Sequence, residues 1–509
     1  MSSTRRVPKS LLVPAVVSAV FSLVPIWYLL DTAVASGLNT ALQEIFRSST
    51  LRVVTRSVVL AACVTAASAV IGTIAGWALV LSGIRPRALL LVLLSLSLAI
   101  PSYLSAFAWI SWLPWLSGFW GAFIVLTLVS YPFVMLPVVA SLRAADPMQE
   151  EIARSLGRSD LSIFFSVTLG QTRTAITGGA LLVALYALSD FGAVAAMRYE
   201  AFTWVIYGAY RAGFNPARAA VLSLVLVGVA LVVTLLESKV RGRAGAQRIG
   251  SGVSRQRTAK PKTQQQVFAW MFSMVIVGGG VGVPLVSVIT WMFRDSQTEI
   301  ANVDVVRAIV SSFEIGTFTA IATVLIALPV ALAAARYSGR LVKFLEQATY
   351  VSHALPGIVI AIAMVFFGLR TMRAWYQEIP LLVLAQTVIF IPLAVASMRS
   401  SIERSTAAVE DVARSLGTNL VTTAIRVTLP IALPGVLAAV ALTLLSSVKE
   451  LPATLLLRPT GTETLATSIW KYSAVSDYAS VAPFGIALIL LSAVPVAVMT
   501  ATMNVGRAE

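Results

Sequence analysis

Apolar residues fall in twelve long runs, near 11–30, 57–82, 88–110, 119–140, 174–195, 215–236, 266–293, 311–336, 346–369, 380–399, 431–455 and 479–503. Each approaches the about 20 residues that a bilayer-crossing helix needs. Lipid offers no partner for backbone N–H and C=O groups, so such runs must be helical. The pattern predicts an all-α membrane protein of about 12 transmembrane helices. The runs form two sets of six, in residues 1–236 and 266–509. Between them, residues 237–265 are rich in Arg, Gln, Ser and Gly and read as a flexible basic linker. Pro101 and Pro356-Gly357 lie within the third run of each set and predict a break or kink there. The first run, Leu11 to Leu30, is too long for a signal-peptide core and lacks a small-residue cleavage site, so it reads as a retained span.

Composition agrees: 58% of residues are hydrophobic and only 12% charged, about half the charge of a soluble domain. The net charge of +16 comes from 38 Lys and Arg against 22 Asp and Glu. These cations sit between apolar runs, which points to cytoplasmic loops and anionic headgroups rather than to nucleic acid. Arg5, Arg6 and Lys9, then Arg85 and Arg87, then Arg143, Arg154, Arg158 and Arg173 mark alternate loops. Their alternation predicts that both termini are cytoplasmic. Arg47, Arg52 and Arg56 are an exception in the first external loop, partly offset by Asp31 and Glu44. The single cysteine, Cys63, excludes a disulfide framework and a thiolate metal site.

One polar phrase occurs twice. Glu150-Glu151-Ile152-Ala153-Arg154-Ser155-Leu156-Gly157 is followed by Val167-Thr168-Leu169. Glu410-Asp411-Val412-Ala413-Arg414-Ser415-Leu416-Gly417 is followed by Val427-Thr428-Leu429-Pro430, each position 260 residues after its counterpart. Pro132 and Pro392, and Asp190 and Glu450, share that offset, whereas Ser57 and Ser312, and Pro101 and Pro356, differ by 255. The two halves are therefore parallel repeats, a type of internal duplication in which substrate sites tend to lie between the repeats. Each phrase predicts a short helix with acids at its start and a glycine stop, Gly157 or Gly417.

This wording resembles the cytoplasmic loop of ATP-binding-cassette importer permeases: Glu-Ala-Ala, Gly four residues on, then Ile-x-Leu-Pro. Glu151, Ala153, Gly157 and Leu169 fill it in the first copy, with Gly170 where Pro is usual. Asp411, Ala413, Gly417, Leu429 and Pro430 fill it in the second, with Asp for Glu. The resemblance covers about 50 to 505. It implies the type I ABC importer permease fold, with two homologous six-helix halves, in the cell (inner) membrane. It also implies an ABC ATPase subunit, as a dimer, docked on the two loops, and an extracytoplasmic substrate-binding protein. The chain has no Gly-x-x-x-x-Gly-Lys-[Ser/Thr] phosphate loop. It is expected to be no enzyme and to hold no cofactor, with ATP and magnesium in the partner. An ion-gradient-driven secondary transporter would give no reason for two matched loops.

Two segments resemble ferric iron importer permeases in particular: Ala187 to Val194, containing Asp190-Phe191-Gly192, and Val448 to Pro459, containing Glu450-Leu451-Pro452. Permeases for thiamine, phosphonates, sulfate or spermidine share much of this wording. Asp190 and Glu450 carry two open readings. Carboxylates beside apolar runs often line a cation path, and oxygen ligands suit ferric iron, which makes the pair a candidate translocation path and transient metal site. Alternatively, Asp190 caps a helix and Glu450 pairs with Lys449 or Arg458. Lys449 keeps an oxyanion cargo open. His353 reads as a helix-end histidine rather than a metal ligand, since Leu98 takes its place in the first repeat. Tyr131, Tyr186, Tyr207 and Tyr210 are belt or path residues.

Overall fold

The computed structural model describes residues 7–145, 148–211, 213, 215–244, 263–294, 302–404 and 407–505. Most of the basic linker, 245–262, lies outside the described residues, as does the side chain of Asp411. Among the described residues every regular element is a helix. Nine of these are long and apolar enough to span, from Lys9–Ala35 to Arg426–Val448. Two further positions are filled by bent pairs, Arg87–Leu98 with Ser102–Trp112 at 90°, and Arg340–Ala354 with Gly357–Thr371 at 106°. That gives up to eleven candidate spans among the described residues, and the shorter apolar helix Tyr478–Val494 occupies the last of the twelve expected runs.

The bends fall where proline predicts them. Pro101 (φ −59°, ψ 143°) and Pro356 (φ −57°, ψ 143°) are extended and start the second limb of each pair. Proline has no N–H to give the preceding turn and disfavours helical geometry in the residue before it. Such breaks are tolerated in a membrane where protein covers the backbone. Leu104 and the run Ile358–Met364 are accordingly fully buried.

The chain packs as two compact units, one of 1–47, 206–227 and 298–475, the other of 48–205, 228–297 and 476–509. The units of packing are thus not the sequence halves. In the first unit the leading helix Lys9–Ala35 places Ala15 and Ala19 in a core with Val324, Ala327, Ala331, Ala394 and Ala432. Ser18 Oγ donates to the Ile326 carbonyl at 2.5 Å. Small residues let these backbones approach closely, which is the main source of helix association in lipid.

In the second unit the helix that opens the second half, Thr263–Val277, contributes Ala269 and Ile276 to a core with Ala75, Ala78, Leu91, Leu94 and Tyr131. A Cβ on Gly72 would lie 2.7 Å from Val134 Cβ and 2.8 Å from the Tyr131 carbonyl. No other residue fits that crossing without moving backbone.

The repeats reappear as matched bonds within each unit. Ser57 Oγ accepts the Phe202 N–H at 2.9 Å, and Ser312 Oγ accepts the Leu465 N–H at 2.9 Å. Each ties the spanning helix of its repeat to the start of a short helix near the far end of the same repeat.

Candidate functional site

Each repeated phrase folds as predicted into a short helix, Met148–Ser155 and Ala407–Ser415. Gly157 and Gly417 stop them with φ of +78° and +88°. This left-handed turn lets Arg158 N–H reach the Ala153 carbonyl at 3.2 Å and Thr418 N–H reach Ala413 at 3.3 Å. Outward, the helices carry apolar side chains four residues apart. Ile152 and Leu156 are 53% and 74% exposed, Val412 and Leu416 59% and 80%. Neighbours at i and i+4 share a helix face, so each helix presents a pair of aliphatic knobs. Glu151 is exposed beside them, and Ala153 is buried.

The inward face holds residues that the sequence reading passed over. Glu150 Oε1 accepts from Thr168 Oγ1 at 3.1 Å, and Glu410 Oε1 from Thr428 Oγ1 at 2.9 Å. Both threonines end a π-helical turn, Phe164–Thr168 and Ala424–Thr428, at the foot of the next spanning helix. Glu410 Oε1 also takes Arg336 Nε at 2.7 Å, with the two side chains 10% and 6% exposed. The helix Ala407–Ser415 is thereby bonded to two spanning helices. The 260-residue offset of Glu150/Glu410 and Thr168/Thr428 was the available signal. Leu169 and Leu429 are half-buried at the start of their helices, and Gly170 and Pro430 are exposed beside them.

Asp190 and Glu450 both sit at the break after a long helix and cap the short helix that follows. Asp190 Oδ1 accepts the Ala193 N–H at 2.8 Å, and Ser102 Oγ donates to Oδ2. Glu450 Oε1 accepts the Ala453 N–H at 2.8 Å, while Oε2 takes the Thr454 N–H at 3.0 Å and Thr454 Oγ1 at 2.9 Å. Gln386 braces this group through Thr454 Oγ1 at 3.0 Å. Helix-start N–H groups have no partner within the helix, and these carboxylates supply one. Arg458 pairs with Glu463, at 2.5 Å, rather than with Glu450. Among the described residues no group of three or more His, Cys, Asp or Glu could hold a metal ion. His353 is exposed at the end of its turn.

Tyr131 is core, its hydroxyl donating to the Leu94 carbonyl, whereas Tyr207 and Tyr210 line a cavity in the first unit.

The chain matches the family described as "Binding-protein-dependent transport system inner membrane component" twice, over residues 68–241 and 326–503. The chain belongs to that family. It is the permease subunit of an ATP-binding-cassette importer, a multi-pass inner-membrane protein of the type I permease fold. The Haemophilus influenzae Fe(3+)-transport system permease protein FbpB 2 is 33% identical over 477 residues, covering 93% of this chain and 94% of the relative. The Mycobacterium tuberculosis molybdenum transport system permease protein ModB is 31% identical over 39% of this chain and 80% of its own length. The Escherichia coli sulfate transport system permease protein CysW is 27% identical over 35% of this chain and 66% of its own length. A binding protein and an ATPase follow from the family in general terms.

Proposed function

We propose that this permease imports ferric iron, delivered by an external binding protein and driven by a dimeric ATPase seated on the helices Met148–Ser155 and Ala407–Ser415. The observation that carries the solute is coverage: the iron-permease relative aligns along 93% of this chain, both repeats included. The molybdenum and sulfate permeases align with about one repeat. For the ATPase, the support is the exposed aliphatic knobs on a helix whose other face is bonded to the spans, a shape suited to a groove in a soluble partner. Both loops and both termini are then cytoplasmic, with ATP and magnesium bound in the partner.

The test is uptake of radiolabelled iron by vesicles holding permease, ATPase and iron-loaded binding protein. ATP-dependent iron uptake is expected. Uptake of thiamine, a phosphonate or molybdate without iron would overturn the solute. Uptake on a proton or sodium gradient without the ATPase would overturn the coupling. Asp190 and Glu450 belong to this proposal as path residues with their own arm, Asp190→Asn together with Glu450→Gln. Iron uptake should fall by at least tenfold while ATPase binding is kept. If uptake per assembled complex stays normal, they are caps only.

A further inference from the structure

The first unit contains a cavity of about 980 Å³ whose lining is neutral or cationic throughout. Three arginines, Arg211, Arg370 and Arg458, and three tyrosines, Tyr207, Tyr210 and Tyr376, are among its lining residues. Each arginine bonds the protein through Nη1: Arg211 to the Tyr207 hydroxyl at 3.2 Å, Arg370 to Asp31, Arg458 to Glu463 and to the Thr462 carbonyl. A guanidinium has five N–H donors in a planar fork, and among the described residues Nε and Nη2 of all three make no hydrogen bond within the protein. Asp31 and Glu463 offset two of the three charges and lie outside the lining. Among the described residues, no carboxylate pairs with Arg211.

The backbone there is also unusual. Gln377 lines the cavity at φ +58°, a conformation that non-glycine residues seldom adopt. Such geometry concentrates at functional sites. Burial, helped by the neighbouring Tyr376 hydroxyl, pushes Tyr210 up to about 12, which keeps it a neutral donor. The cavity adjoins the start of the helix Ile379–Arg404, whose other end leads to the docking helix Ala407–Ser415. That helix of 26 residues spans about 39 Å at 1.5 Å per residue. The cavity therefore lies at the end of that helix away from Ala407–Ser415.

We propose that this cavity binds a small, multiply charged soluble oxyanion, a polycarboxylate or phosphate, held by Arg211, Arg370 and Arg458 and the surrounding phenols. Forked arginines match carboxylate and phosphate oxygens in pairs. The volume, at the upper end of small-molecule sites, leaves ample room for a citrate-sized anion or an oxyanion-wrapped metal, and the arginines repel a bare trivalent cation. The site stands on its own geometry and is independent of the iron reading.

The test is equilibrium binding of radiolabelled citrate and of inorganic phosphate to the full-length permease in nanodiscs of zwitterionic lipid, with no iron present. Saturable binding is expected, weakened at least tenfold by Arg211→Gln, partly kept by Arg211→Lys and reduced by added salt. Arg211 is exposed and bonds only the Tyr207 hydroxyl among the described residues, so these variants should fold. A thermal melt unchanged from the parent checks this. No saturable binding of either anion, or equal binding by the parent and Arg211→Gln, overturns the proposal. A parent that binds anion only when phosphatidylglycerol is absent from the disc, with phosphatidylglycerol held through the same arginine, makes the site a lipid headgroup seat and also overturns it.

Discussion

At the scale of single residues, acids that look alike in sequence part company in the structure. Glu150 and Glu151 are adjacent, yet one turns inward to Thr168 and the other stays in solvent. Only the helix phase and the position of the π-turn decide this, and neither can be read from a pair of neighbouring carboxylates. Asp190 and Glu450 were legible as a matched pair because their offset is that of the phrase. Their capping role was open because it depends on the long helices ending at Ser189 and Val448. The ion pair of Glu410 with Arg336 was not legible, since its partners are 74 residues apart. Removing one partner from a buried pair leaves the other charge without compensation, at a cost of about 3–5 kcal/mol. Arg336→Met should therefore lower the denaturation midpoint of the purified permease clearly, and Glu410→Gln by less, since Gln keeps an acceptor for Arg336 and Thr428. An unchanged midpoint in Arg336→Met would show that the pair does not hold the helix Ala407–Ser415.

At the scale of elements, glycine and proline carried most of what the sequence revealed. The third run of each half reads as one continuous apolar stretch, and only Pro101 and Pro356 indicate that it folds as two limbs near a right angle. Span boundaries were less legible, because hydropathy does not mark where a helix leaves the membrane. The helix Val303–Arg336 runs well beyond the apolar stretch expected near 311–336. The helices of the repeated phrase were legible in position and length because their glycine stops are explicit. Gly157 and Gly417 adopt positive φ, and a Cβ at either would meet nothing within 4 Å. Gly→Ala at either site should cost only about 1 kcal/mol, the penalty of a left-handed turn without glycine. Gly157→Arg with Gly417→Arg should leave insertion intact, since the space is open, while the added bulk blocks the partner's groove. Pull-down of the ATPase by the membrane-inserted double variant measures this. Full association together with full transport would remove these loops as the docking site.

At the scale of the whole molecule, duplication was plain in the sequence and the pattern of packing was not. Two equal sets of six runs invite one compact body per half, because a linker rich in polar residues separates them. Each compact unit instead takes in the helix that opens the other half. Nothing local distinguishes a leading helix that packs at home from one that packs away, since alanine and serine faces suit either neighbour. The consequence can be tested by dividing the chain. The second half expressed alone would lack Lys9–Ala35, leaving Ala327, Ala331 and the Ile326 carbonyl without Ala15, Ala19 and Ser18. It should be degraded or aggregate. Coexpression of residues 1–250 with 251–509 restores both leading helices and cuts only the polar linker. The two fragments should then copurify and retain ATP-driven uptake at a level near that of the intact chain. A second half that accumulates and stays monodisperse without the first would mean that the leading helices add little, and that each half is stable by itself.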